Sequence, residues 1–319
     1  MHDRDGTQSL AVRERASFES FAALPSNLHA IESVALFAQG HLTFAALTGP
    51  SGWGKSHLLY AVASALKCPK TGTLPILQAT EWAAHGHRGD AQGALILDNA
   101  QDALAKARTR LHLRLALERR SRARRPTLVA FSGSTTQRIR AFLPHGREWT
   151  VAEIRAPLPS ERECIVRQMA EAEGVTISEQ VVRVISRHMG GDGRTLLGAL
   201  RRLRLAGSEW QGDALSLQAC GLLSCFFADS PTWDLAEQIW DAANAACPGE
   251  EPAARSMALY VARRVALLPE EQVASQFDVR PARVYTEARR HEAKLKTCAA
   301  TAEATGAAIR LAVERVAAG

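Results

Sequence analysis

The sequence predicts an α/β core built on a parallel sheet, followed by an all-helical remainder. Three observations carry this. Short apolar runs alternate with helical patterns as far as about Pro159, as in a parallel sheet with crossover helices on both faces. From Ser160 onward the strand-like runs stop. One glycine-rich stretch, Gly49-Pro50-Ser51-Gly52-Trp53-Gly54-Lys55-Ser56, stands between a strand-like run and a helical one. The expected organisation is a flexible tail over residues 1–16, the α/β core over 17–159, a helical lid over 160–227 and a C-terminal helical domain over 228–319.

The 319-residue chain is 46% apolar, enough for a packed core, and its formal net charge is +6. A basic balance points to an acidic partner and says nothing of fold; a basic surface kept for solubility accounts for it equally well. No apolar run reaches the ~20 residues of a membrane helix. The start, Met1-His2-Asp3-Arg4-Asp5, lacks the apolar stretch of a signal peptide. A cytoplasmic protein with no membrane partner is expected. The six cysteines, Cys68, Cys164, Cys220, Cys225, Cys247 and Cys298, form no Cys-x-x-Cys pair and read as reduced thiols. His85 and His87 flank a glycine with no second ligand pair nearby, which argues against zinc.

Leu42 to Leu47 reads as a buried strand and His57 to Leu66 as a helix. Between them the spacing G-x-x-x-x-G-K-S is that of a phosphate-binding loop. Its glycines let backbone N–H groups turn inward, and the helix start adds the positive end of its dipole. Lys55 is expected at the β- and γ-phosphates of ATP or ADP, and the Ser56 hydroxyl at Mg²⁺. Gly49, Pro50, Ser51, Gly52, Trp53, Gly54 and His57 complete the loop's candidate nucleotide contacts.

Leu74 to Leu77 and Ala94 to Leu97 read as further strands. The second ends in Asp98, where a carboxylate orients Mg²⁺ and its waters. Asn99 follows. A carboxylate there polarises the attacking water as a general base, whereas an amide only orients it; slow ATP hydrolysis is expected. Lys106 to Arg125 carries nine Lys/Arg against Glu118 alone. Leu104, Leu111, Leu115 and Leu117 are expected on its buried face. The stretch reads as a surface for nucleic acid or a protein partner, or as a solvated helix face. Thr127 to Phe131 is the next strand. Ser132 ends it, either contacting the γ-phosphate or water, or serving as a turn residue.

Several helices are expected over residues 160–227, with Gly190-Gly191-Asp192-Gly193 as a break. Arg194 then opens the helix Thr195 to Leu203. A solvated Arg in a first turn opposes the helix dipole, which favours a role on the nucleotide. Ala228 to Thr232 reads as a polar linker. Residues 233–319 are helical, interrupted at Cys247-Pro248-Gly249 and at Pro269.

In this order the segments resemble the DnaA family of AAA+ replication proteins over about residues 17–227. Phe18-Glu19-Ser20-Phe21-Ala22-Ala23-Leu24-Pro25-Ser26-Asn27 looks like the family's opening segment, which implies an adenine pocket lined by residues including Asn27. Lys55-Ser56-His57-Leu58-Leu59 is close to the family's K-T-H-L-L, and Leu95-Ile96-Leu97-Asp98-Asn99-Ala100-Gln101 resembles its Walker B run I-D-D-I-Q. Gly193-Arg194-Thr195-Leu196-Leu197-Gly198-Ala199-Leu200 looks like its sensor-2 run. The resemblance implies an AAA+ core, an ATP- or ADP-dependent switch in replication initiation or its control, and assembly through an arginine finger. Arg147 is the only Arg in Pro144-His145-Gly146-Arg147-Glu148-Trp149, where that finger is expected.

The departures point elsewhere. Asn99 replaces the second acid of Walker B, and only a short loop fits between Thr80 and Gly93 where initiators carry two more helices. Both features resemble Hda, a DnaA-related regulator. Ser132-Gly133-Ser134 lacks the Asp-Arg that follows sensor 1 in the family. Residues 233–297 are similar, more weakly, to the family's DNA-binding domain. Arg255 to Ala262 and Leu268 to Phe277 match two of its helices, and Arg280 matches an Arg that touches DNA. The family's D-H-T-T is replaced by Pro281-Ala282-Arg283-Val284, and its basic loop by Gly249-Glu250-Glu251-Pro252, whose carboxylates repel phosphate. Residues 255–296 nevertheless hold nine Lys/Arg against five acids. Arg283, Arg289 and Arg290 can share one face of the second helix of a helix-turn-helix. The expected partners are DNA without the family's usual sequence specificity, another copy of the chain, and other replication proteins. A nucleotide-locked adaptor that binds protein and not DNA, and a helicase-loader-type ATPase, are the alternatives.

Overall fold

The computed structural model describes residues 16–66, 74–84, 93–227, 230 and 233–318. The expectations for the N-terminal tail up to residue 15, for His85 and His87, and for most of the linker at 228–232 lie outside the described residues. So does most of the short loop expected before Gly93. The chain divides into two compact units, Met1–Leu158 and Pro159–Gly319.

The first unit is a five-stranded parallel sheet with helices on both faces. In chain order its elements are α1 Leu28–Ala38, β1 Phe44–Thr48, α2 Lys55–Ala65, β2 Ile76–Gln78, α3 Ala79–Ala84, β3 Leu95–Asp98, α4 Ala100–Leu104, α5 Ala107–Arg122, β4 Thr127–Ala130, α6 Thr136–Phe142 and β5 Thr150–Glu153. The strand order is β2-β3-β4-β1-β5. Strands β1, β3 and β4 are buried along their whole length, because helices cover both faces of a parallel sheet. Alternation splits their side chains between two cores. Phe44, Ala46, Leu95, Leu97 and Val129 pack with Leu113, Leu117 and Trp149 on one side. Ala45, Leu47, Ile96, Leu128 and Ala130 pack with Val34, Leu58 and Val62 on the other. Strand β5 was not expected from its sequence. It pairs with β1 in register Ala46↔Val151 and closes the sheet edge beside the glycine-rich loop.

Helix α5 corrects one expectation. Its buried residues are Leu113, Ala116, Leu117, Arg120 and Ser121, whereas Leu111 and Leu115 are 56% and 47% exposed. Arg120, 1% exposed, donates from Nε to Thr127 Oγ1 at 2.9 Å and from Nη2 to the carbonyls of Gly93 and Pro126 at 2.7 and 2.9 Å. Its head is therefore spent on stitching α5 to the start of β4.

The second unit is helical: α7 Pro159–Glu173, α8 Glu179–His188, α9 Gly193–Ala206, α10 Asp213–Leu223, α11 Leu235–Ala246, α12 Glu251–Tyr260, α13 Glu270–Gln276, α14 Pro281–Leu295 and α15 Ala299–Ala318. It also holds two short parallel strands, β6 Thr176–Ile177 and β7 Glu209–Trp210, which the sequence reading missed. Two-residue strands carry no periodicity to read. Ser178, Asp192 and Asp234 cap α8, α9 and α11 through their side-chain oxygens, satisfying first-turn N–H groups. The breaks expected at Gly190–Asp192, Cys247–Gly249 and Pro269 fall between helices, whereas Gly193 opens α9. Helix α15 packs on α8, α10 and α11, burying Ala308, Ala312, Val313 and Val316. Helix α12 continues into a π-helical turn, Val261–Val265, whose end lies so close to α10 that a Cβ on Gly221 would meet the Ala266 carbonyl oxygen at 1.7 Å.

Candidate functional site

The sheet brings three strand ends together at its carboxyl edge: the loops after β1, β3 and β4. Such an edge is where open α/β sheets bind ligands. Gly49, Gly52 and Gly54 have φ of 147°, 76° and 91°, conformations that only glycine takes without strain. Two are also close approaches. A Cβ at Gly49 would meet the Ile154 carbonyl oxygen at 2.2 Å, and one at Gly54 would meet the Phe21 ring at 2.4 Å. Pro50, Ser51, Gly52 and Trp53 complete the turn, and α2 begins at Lys55, so its free N–H groups face the loop.

Lys55 is buried and its Nζ donates to the carbonyls of Gly49 and Pro50. Ser56 Oγ donates to Asp98 Oδ2 at 2.7 Å. Asp98 Oδ1 accepts from the Asn99 N–H at 2.8 Å. The sequence placed Ser56 and Asp98 on one metal-binding role from motifs 42 residues apart, and the fold puts their side chains in direct contact. A hydroxyl and a carboxylate beside the start of a helix fit the donor set that Mg²⁺ with phosphates takes.

Asn99 sits in the left-handed region at φ 54°, held by amides. Its Nδ2 donates to Gln78 Oε1 at 3.0 Å, and its Oδ1 accepts from Gln101 Nε2 at 3.3 Å. Gln101 Oε1 in turn accepts from the Ser132 N–H at 2.9 Å. A ladder of neutral amides thus crosses the ends of β2, β3 and β4. Ser132 joins the site through its backbone. The following loop is tied to β1 as well, with Thr48 Oγ1 donating to the Ser134 carbonyl at 2.6 Å and Gly133 N–H to the Gly49 carbonyl at 3.3 Å. Sequence reasoning gave no role to Gln78 or Gln101. Gln101 stood inside the quoted run after Asp98, but nothing in the sequence marked Gln78.

The opening segment lies on the loop. The Phe21 ring packs against Gly54 and 5.2 Å from the His57 ring. His57 Nε2 lies 3.1 Å from both Ser20 Oγ and the Ser17 carbonyl. Its ring therefore holds the segment against the start of α2. Burial pushes the His57 imidazole below its ordinary value, and the Ser17 hydrogen bond opposes this. Asn27 is buried, accepting from the Leu24 N–H at 2.9 Å and donating to the Ala22 carbonyl at 2.8 Å; its amide shapes the segment itself.

Arg147 is exposed on the short turn Gly146–Glu148 before β5. Arg194, in the second unit, is exposed in the first turn of α9, where its N–H donates to the capping Asp192. Helices α13 and α14 form a helix-turn-helix-like pair. Arg280, Arg283, Arg289 and Arg290 are all exposed. Arg283 and Arg290 stand seven residues apart and line one flank of α14, whereas Arg289 lies about 100° round the helix from Arg290. Arg290 pairs with Glu287 at 3.1 Å. Arg289 and Arg264 each place a guanidinium 5.9 Å from the Tyr285 ring centroid, a cluster the sequence reading did not single out. Among the described residues no helix is long and apolar enough to cross a membrane.

No protein-family profile matches the chain. It is 28% identical over 196 residues to the chromosomal replication initiator protein DnaA of Bordetella petrii, covering 54% of this chain and 40% of that protein. It is 26% identical over 193 residues to DnaA of Burkholderia cenocepacia, covering 54% and 36%. The match thus spans less than half the length of these curated relatives. Domain III of the Thermotoga maritima replication initiation protein DnaA superposes with a TM-score of 0.53 at 19% identity, covering 67% of this chain and 97% of that one. AMPPCP-bound DnaA from Aquifex aeolicus superposes with a TM-score of 0.52 at 17% identity, covering 88% and 92%. Over about half its length the chain is similar in sequence to DnaA replication initiators, and its parallel-sheet α/β core followed by helices has the AAA+ fold of these structures.

Proposed function

We propose that this protein is an ATP- or ADP-binding, DNA-binding switch in chromosomal replication initiation or its control, one that retains nucleotide far better than it hydrolyses it. The contact between Ser56 and Asp98 at 2.7 Å, beside the turn made by Gly49, Gly52 and Gly54, carries the nucleotide half of this reading. Backbone N–H groups of the loop cradle the phosphates, and Lys55 leaves the Gly49 and Pro50 carbonyls for the β- and γ-phosphates. Ser56 and Asp98 hold Mg²⁺, which when bound neutralises charge on the phosphate oxygens. Phe21 and the segment pinned by His57 and Asn27 cover the base. Asn99, locked between Gln78 and Gln101, orients water without taking its proton. Ser132 reports the γ-phosphate, and Arg147 reaches the nucleotide of a neighbouring copy.

The DNA half rests on Arg280, Arg283, Arg289 and Arg290, exposed around the start and length of α14. Phosphate contact by these residues makes binding steeply salt-dependent. A second reading is favoured by one observation. Pro281 and Ala282 occupy the first turn of α14, where a helix-turn-helix reads bases, and neither side chain can hydrogen-bond. A nucleotide-locked adaptor that binds other replication proteins, as Hda-like resemblance suggests, fits that loss.

The test is to purify the full chain, extract and identify its bound nucleotide, and measure hydrolysis with and without DNA. Retained ATP or ADP with slow turnover, and salt-sensitive DNA binding, are expected. Absence of nucleotide binding at millimolar Mg·ATP defeats the switch reading; nucleotide binding without any DNA affinity at low salt favours the adaptor.

A further inference from the structure

We propose that Tyr285, flanked by Arg264 and Arg289, is a stacking platform for an unpaired base, so that the C-terminal helices take single-stranded nucleic acid. This goes beyond the reading above, in which arginines on α14 hold a phosphate backbone, and rests on it only in making nucleic acid the partner.

The helix does not need this ring for packing. Helix α14 buries Val284, Ala288 and His291, a stripe at i, i+4 and i+7. Tyr285 lies off that stripe and is 50% exposed. A half-exposed Tyr leaves a ring face open, and Tyr is enriched at interfaces where one end is apolar and the other wet. Its neighbours are cations from two different elements. Arg289 follows one turn later on α14, and Arg264 comes from the π-helical turn Val261–Val265. Both guanidinium carbons stand 5.9 Å from the ring centroid. Neither Arg264 nor Arg289 has a carboxylate partner among the described residues. An exposed ring between free guanidiniums is the chemistry that single strands take: a π-face for a base and charges for the flanking phosphates. Duplex DNA offers no free base face.

The first turn of α14 supports the same choice. With Pro281 and Ala282 exposed there, groove-edge hydrogen bonding is lost, while stacking tolerates any base.

The experiment measures anisotropy of labelled dT12, rU12 and a 12-base-pair duplex with the full chain at low salt. Wild type is expected to bind at least one single strand. Tyr285→Ala is expected to weaken that binding by roughly 5- to 150-fold, the range of one lost base stack, and to leave duplex binding nearly unchanged. Tyr285→Trp and Tyr285→Phe are expected to retain it. Binding of dT12 alone or rU12 alone identifies the source of the strand and supports the platform either way. No single-strand binding, no loss in Tyr285→Ala, or an equal loss for strand and duplex each overturns it. Arg283→Glu with Arg290→Glu, on the other flank, separately tests the phosphate reading: loss there with Tyr285→Ala neutral sinks the platform and leaves the DNA-binding switch standing.

Discussion

On the proposed reading, Asn99 sets how long a bound nucleotide lasts. Its side chain is held from both sides by amides, Gln78 at 3.0 Å and Gln101 at 3.3 Å, and none of the three can take a proton from water at neutral pH. An Asp at this position keeps the shape and adds the missing base, and the Gln78 amide can turn to donate to it. Asn99→Asp is therefore expected to raise single-turnover hydrolysis by about 100-fold, the low end of what general-base catalysis supplies, with nucleotide affinity nearly unchanged. Quenched-flow measurement of ADP formation checks this; an unchanged rate means that water activation is not what limits turnover. The loop and Asp98 were legible in the sequence because their chemistry needs a contiguous motif or a strand end. Gln78 was not, since its role exists only because β2 pairs with β3 in the register Gln78↔Asp98.

At the scale of the element, α5 shows why a helical face cannot always be read from composition. Leu111, Leu113, Leu115 and Leu117 recur every second residue. On a helix with 3.6 residues per turn that spacing puts leucines on both sides, so the sequence supports two faces about equally. The structure buries Leu113 and Leu117 and exposes the other two. What decides is the neighbouring chain: the Arg120 guanidinium finds Thr127 Oγ1 and two carbonyls only in this rotation, and a buried charge without such partners costs several kcal/mol. Leu113→Ala or Leu117→Ala is expected to destabilise the first unit by about 2–5 kcal/mol, and Leu111→Ala or Leu115→Ala by about 0.5 kcal/mol or less. Chemical denaturation of the four variants distinguishes this from the opposite face. Arg108, Arg110, Arg114, Arg119 and Arg122 are exposed on α5, and Arg122 pairs with Glu118 at 2.6 Å.

At the scale of the whole molecule, half-buried His57 and buried His188 and His291 are expected to contribute to the acid response. His57 lies in the first unit, and His188 and His291 in the second; burial lowers the pKa of each below 6.5. His188 faces the Val316 carbonyl at 3.2 Å and the Trp233 ring. His291 faces Thr305 Oγ1 at 2.9 Å and the Tyr260 ring, with Lys294 opposing its protonation. Above pH 6.5 both folded and unfolded forms are neutral at these sites, and they add no pH dependence. As the pH falls through 6.5 the unfolded chain takes up protons first, and stability is lost until the folded values are reached. Thermal unfolding between pH 7.5 and 5 is expected to show a falling Tm, and His188→Gln with His291→Gln to flatten that fall for the second unit. An unchanged slope removes these two groups as its source.

The sequence by itself determined the α/β core, the glycine-rich turn between β1 and α2 and the helical second half, because periodicity and motif spacing are local properties. It missed β5 and the two-residue strands, whose stability comes from partners distant in the chain. Only the tertiary structure decided which face of α5 is buried, that Asn99 is clamped by Gln78 and Gln101, that His57 turns toward the opening segment, and that Tyr285 stands between Arg264 and Arg289. Each of those depends on side chains from separate elements meeting in space, where one hydrogen bond or one steric contact chooses between arrangements that the sequence leaves equal.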